Sequence, residues 1–80
     1  MANIVFPDHL LSITDGTRET DAPVDNVRDL LTYLDERWPG VADKLSRCAI
    51  AIDGQIYQDA FLEALNPDSE VFFMPRIEGG

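Results

Sequence analysis

The sequence has one cysteine, Cys48, one histidine, His9, and one lysine, Lys44. A single thiol rules out an internal disulfide and fits a reducing compartment. His9 stands in a loop after Pro7, with no Ser or Cys spaced around it in a recognisable nucleophile motif, so a surface role is expected for it. Basic residues are also scarce. Six Lys and Arg against 15 Asp and Glu give a net charge of −9, which makes a phosphate backbone, and hence nucleic acid, a poor partner. The same acidity keeps a small domain soluble and steers it toward a basic protein surface, and composition does not separate these two uses. No apolar run approaches the roughly 20 residues that a bilayer span requires. The first residues lack the basic and apolar regions of a secretory signal. A cytoplasmic protein without a membrane role is expected.

Eighty residues make one domain, and a chain of this size buries only roughly 60% of the surface it exposes when unfolded. One core fits, with little room for an enclosed active site, so any chemistry has to borrow machinery from a partner. No internal repeat or low-complexity tract is present. The apolar fraction of 45% suits a globular fold.

Ala2-Asn3-Ile4-Val5-Phe6 reads as a short strand closed by Pro7, and Asp15-Gly16 as a turn. A second strand is expected over residues 17–22; its polar residues suit an edge or a sheet with one wet face. Val27, Leu30, Leu31, Leu34 and Trp38 recur at spacings of three and four and form one face of a helix. Asn26 is its N-cap, Asp29 favours its positive end, and Pro39-Gly40 stops it. Residues 41–45 suit a short further helical turn. Residues 49–52 read as a strand, and Asp53-Gly54 as a type I′ hairpin turn, in which both central residues need positive φ. Phe61, Leu62 and Leu65 form a short apolar stretch, irregular or one helical turn. Asn66-Pro67-Asp68-Ser69 is a turn, Val71-Phe72-Phe73-Met74 the last strand, Pro75 its end, and Arg76-Ile77-Glu78-Gly79-Gly80 a flexible tail. The order is strand, strand, helix, strand, strand, strand, and a mixed sheet wrapped on one main helix satisfies the apolar faces of both.

Cys48 and the acids around the helix are further candidates for chemistry. Cys48, at the start of a strand, reads as a small core residue, since a reactive thiol needs an electropositive setting and only Arg47 adjoins it. Asp25, Asp29, Asp35, Glu36 and Asp43 surround the helix and its end without metal-loop spacing, so they read as solvated faces and no metal is expected.

The element order together with the ending Val71-Phe72-Phe73-Met74-Pro75-Arg76-Ile77-Glu78-Gly79-Gly80 resembles the MoaD/ThiS family of ubiquitin-like sulfur carriers. Pro7, Leu10 and Thr14-Asp15-Gly16 resemble that family's first loop. Leu34-Asp35-Glu36-Arg37-Trp38-Pro39-Gly40 resembles its helix end, and Ile52-Asp53-Gly54-Gln55 its central hairpin. The resemblance covers essentially the whole chain. It departs at Arg76 and Glu78, where the family's tails are small or apolar, at the glycine-free turn Pro67-Asp68-Ser69, and in the polar second strand.

The resemblance implies a β-grasp domain over residues 1–75, with mixed sheet of four to five strands on one main helix, and a tail over 76–80. It implies a carrier rather than an enzyme, with no bound cofactor. A ubiquitin-activating-type enzyme would use ATP to adenylate the Gly80 carboxylate. A sulfur donor would then convert the adenylate to a thiocarboxylate, and an acceptor such as a molybdopterin synthase large subunit would take the sulfur. The Pro75, Ile77, Gly79-Gly80 spacing leans toward the molybdopterin and cysteine types within the family.

The residues permit this chemistry. Gly79 and Gly80, lacking Cβ atoms, can pass a narrow channel, and the six residues after Met74 reach at most about 20 Å. Alternation along the last strand sends Val71 and Phe73 into the core and Phe72 and Met74 to the opposite face. There they either form a docking surface with Pro75 and the tail anchor Ile77 or are covered by the chain's own loops. Arg76 and Glu78 either meet charges on the partner or are solvated. A ubiquitin-like modifier joined through Gly80 to lysines shares the chemistry up to the adenylate, and a non-covalent interaction module is a third reading.

Overall fold

In the computed structural model, residues 1–76 are described. The strands are β1 (Ala2–Val5), β2 (Glu19–Ala22), β3 (Cys48–Ile52), β4 (Gln55–Tyr57) and β5 (Glu70–Pro75), and the helices are α1 (Val27–Arg37) and α2 (Val41–Leu45). The sheet runs β2-β1-β5-β3-β4, with β1 and β5 parallel and the other neighbours antiparallel. The strand nearest the C-terminus therefore occupies the middle of the sheet. This is the expected mixed sheet, with five strands.

Helix α1 forms where its sequence directs. The Asn26 side-chain oxygen accepts from the Asp29 N–H at 2.7 Å, and the Asn26 amide donates to the Asp29 carboxylate at 2.9 Å, so cap and third residue tie each other. Val27, Leu30, Leu31 and Leu34 are buried along one stripe and lie over Ile4, Ile50, Ile52, Val71 and Phe73 of the sheet. Trp38 closes the helix, and its ring meets Phe6 edge-on at 5.4 Å while the Arg37 guanidinium sits 4.6 Å from its centroid. Gly40 takes φ 94°, and the Asp35 carboxylate accepts from the Gly40 and Ala42 N–H groups, which starts α2. One acid of the helix-end cluster is thus an internal cap rather than a solvated charge.

Three expectations shift locally. The second strand begins at Glu19, not residue 17, because the Thr17 N–H turns back to the Thr14 carbonyl and only from Arg18 onward does the chain face β1. Phe6 lies just past β1, although its N–H still reaches the Arg18 carbonyl at 2.8 Å. His9 is exposed as expected, in a 3-10 turn over Asp8–Leu10 within the segment after Pro7. Pro75 is the last residue of β5, opposite Cys48, rather than the residue that stops it. A proline is tolerated at a strand end, where its missing N–H breaks no interior ladder. The apolar stretch after β4 divides: Leu65 is buried and holds the Asp25 carbonyl, whereas Phe61 and Leu62 are exposed.

The hairpin turn adopts positive φ at Asp53 (50°) and Gly54 (86°). Asp53 also ties the hairpin to β5. Its carboxylate accepts from the Glu70 N–H at 2.9 Å and from the buried Ser69 hydroxyl at 2.8 Å. The Ser69 oxygen in turn accepts from the Asn66 N–H, and the Ser69 carbonyl from the Asn3 N–H. The backbone N–H of Glu70, then the Ser69 hydroxyl, hold the Asp53 carboxyl below its ordinary value of 3.8. A carboxyl depressed in the folded state stabilises the fold above the ordinary value, and that contribution disappears as the pH falls through the depressed one. Urea unfolding of the native chain and of Asp53→Asn is expected to differ most at neutral pH. The gap should narrow as pH drops below 3.8, and an undiminished gap in acid would contradict the assignment.

Candidate functional site

Among the described residues, one face of the sheet is covered by α1 and no helix covers the other. Register places Val5 of β1 opposite Phe72 of β5, Phe72 opposite Ala51 of β3, and Ala51 opposite Ile56 of β4. Cross-strand partners share a face, so these four side chains form one apolar row, spanning about 14 Å over three strand spacings. Phe72 is 44% and Ile56 61% exposed, whereas Ala51 is buried as the small member between larger neighbours. Half-buried Met74 stands opposite Ala49 and widens the row toward the end of β5. At the margin the same face carries Glu19, opposite Val5, Asp21, opposite Asn3, and Glu70. The surface is an apolar centre flanked by acids, suited to an apolar partner patch with basic surroundings.

Alternation along β5 is as the sequence indicates: Val71 and Phe73 are buried, Phe72 is exposed and Met74 is half-buried. Among the described residues, no loop covers Phe72. Pro75 and Arg76 follow directly and are exposed. Ile77, Glu78, Gly79 and Gly80 lie outside the described residues. The structure thus brings Phe72, Met74 and Pro75 together on the strand that leads into the tail, and adds Val5 and Ile56, which the sequence reading left out. A signal for Ile56 existed. A two-residue turn at Asp53-Gly54 fixes Ile52 opposite Gln55 and Ala51 opposite Ile56, which puts Ile56 on the face away from Ile52.

Arg76 is engaged within the chain: its Nη2 donates to the Gln58 carbonyl at 2.6 Å. Cys48, buried opposite Pro75, has its thiol pushed up from the ordinary 9.0 by burial, an effect the Arg76 guanidinium partly offsets. It stays protonated at neutral pH and is a poor nucleophile. Among the described residues, no three His, Cys, Asp or Glu side chains gather as a metal site requires, and no helix is long and apolar enough to cross a membrane.

Comparison with solved structures shows where this architecture recurs. The CysO of the Amycolatopsis orientalis BexX/CysO complex superposes with a TM-score of 0.86 at 13% identity, covering 100% of both chains. The Mycobacterium tuberculosis CysO, described as an antigen, gives 0.85 at 15% identity over 96% of this chain and 100% of that one. The Haloferax volcanii HVO 2177 protein gives 0.73 at 19% identity, covering 99% and 85%. At these identities the likeness concerns the fold, which is the ubiquitin-like β-grasp. No curated protein matches the chain by sequence. The model of the ThiS family matches residues 4–80, from the first strand through the Gly-Gly terminus, and the chain belongs to that family.

Proposed function

We propose that this protein is a sulfur carrier, a co-substrate rather than a catalyst, that works through Gly80. The observation that carries the reading is the continuity of the exposed apolar row on β5 with a Gly79-Gly80 ending in a ThiS-family chain. A docking face on the strand that leads in sequence to Gly79-Gly80 lets a partner grip the body and draw in the tail together. The complex of a similarly folded CysO with BexX is a case of such a domain meeting another protein.

The Gly80 carboxylate, with an α-carboxyl pKa of about 3.3–3.7, is ionised at neutral pH and is a poor electrophile. In an ATP-binding activating enzyme, a carboxylate oxygen bonds to the α-phosphorus as the bond to pyrophosphate breaks. Hydrosulfide or a persulfide donor then adds at the acyl carbon and AMP leaves; with a persulfide, a thiol reductant releases the terminal thiocarboxylate. An acceptor enzyme, of which a molybdopterin synthase large subunit is one type, takes the sulfur onto its substrate, and water attacking the acyl carbon breaks the carbon–sulfur bond and restores the carboxylate. This chain's own part is to dock through Phe72, Met74, Val5 and Ile56, with Pro75, Ile77 and Glu78 contacting the partner along the tail. Its acidity steers it to a basic surface, and the reactions take place in the cytoplasm.

The test is the intact mass of the full chain after incubation with ATP, a family activating enzyme and sulfide. A gain equal to sulfur replacing oxygen supports the carrier. An unchanged mass with every adenylating partner overturns it. Adducts that survive boiling and reductant would instead assign the chain to the lysine-conjugating modifiers.

A further inference from the structure

Arg76 directly follows the last strand, and the structure gives it a task inside the domain. Pro75 ends β5 opposite Cys48, its φ fixed by the ring. From the next residue, the guanidinium crosses the start of β3 and donates through Nη2 to the Gln58 carbonyl at 2.6 Å. Gln58 directly follows β4, the edge strand beyond β3, so its carbonyl lies past the strand's last ladder pair, Ile50 with Tyr57. The guanidinium passes near enough to Cys48 for its charge to act on that thiol. A charged donor on a carbonyl forms a stronger bond than two neutral groups do.

We propose that Arg76 is a positioning residue that straps the root of the tail to the end of β4, setting where and in which direction the reactive terminus leaves the domain. With Pro75 in the sheet and Arg76 strapped, the length of chain left to reach a partner is the four residues 77–80 rather than the six after Met74. Its reach falls from about 20 Å to about 14 Å. A shorter, aimed tail loses less conformational freedom on entering a partner's nucleotide site. The partner whose site lies at that distance from the docking face is favoured, and one that needs the full span is disfavoured. This role rests on the tail chemistry proposed above.

Arg76→Ala and Arg76→Lys in the full chain test it by two readouts. In the free protein, the Ala variant is expected to shift the Gln58 and Asp59 amide resonances while those of Val5, Ile56 and Phe72 stay in place. With the activating enzyme, KM for the carrier should rise about three- to tenfold, the factor of one net hydrogen bond, with kcat nearly unchanged. The Lys variant, which keeps a donor without the planar fork, should recover part of the loss. The increase should persist in about 0.5 M NaCl, where exposed ion pairs are screened. Unmoved Gln58 and Asp59 resonances, or an unchanged KM, would overturn the proposal. So would a KM effect that vanishes at high salt, since that assigns Arg76 to a charge on the partner. If the native chain is itself never adenylated, the carrier reading fails and this role with it. If the native chain is adenylated and Arg76→Ala matches it, only the strap is refuted.

Discussion

Appending a single alanine after Gly80 is expected to abolish adenylation while leaving the fold and docking affinity intact. The added residue moves the terminal carboxylate by up to about 3.5 Å and puts a methyl group where the native tail has only glycine hydrogens. A displacement of about 1 Å at a reacting centre already costs on the order of 10²-fold in rate. The extended chain should therefore form adenylate at least about 10²–10³-fold more slowly. The body stays free to bind, because Phe72, Met74, Val5 and Ile56 are remote from the added residue in the chain. Pyrophosphate release measures the first property and direct binding to the activating enzyme the second. A non-covalent interaction module would release no pyrophosphate from either chain and would keep its biological activity when extended, so retained biological activity in the extended chain would remove the carrier and the modifier together.

The second large effect is expected at Phe72. Truncation to alanine takes away the most central exposed side chain of the row, flanked by Val5 on one strand and Ala51 on the other. Aromatic anchors at the centre of an interface cost at least about 2 kcal/mol when removed, roughly 30-fold in affinity. Binding to the activating enzyme should weaken by at least that factor. Since Phe72 is 44% exposed, the fold should lose only about 1 kcal/mol, mostly strand preference and partial burial. The neighbouring substitution behaves oppositely. Phe73 is 6% exposed within the core, so Phe73→Ala should cost about 3–5 kcal/mol of stability, a large share of what so small a domain has. Thermal unfolding of both variants beside a binding titration separates the two faces of β5. Phe72→Ala binding with native affinity would show that the uncovered sheet face is not the docking surface.

The helix and the hairpin were legible because each is specified locally. The 27-30-31-34 stripe, the Asn26 cap and the Asp53-Gly54 turn carry their information within a few residues, and the structure realises all three. The start of β2 was less legible, since Thr17 and Arg18 have strand-compatible side chains and only the Thr14 carbonyl decides that residue 17 turns back. Side-chain alternation sufficed for Phe72 and Phe73, but the row they belong to depends on long-range register. Nothing near Val5 in the chain reveals that residue 72 lies beside it. The Arg76 bond is of the same kind, as its acceptor is the backbone of Gln58, a group every residue possesses and no side-chain pattern advertises.

The parallel pairing of the first strand with the last has a bearing on how the protein is made. Because β5 lies between β1 and β3, a chain emerging from the ribosome cannot assemble the middle of its sheet until residues 70–75 have been synthesised. Contacts between such distant segments form slowly and late. A product cut short before residue 70 lacks Phe72 and Met74 and the pairing that brings Val5 beside them, so the apolar row arises only once β5 has joined the sheet.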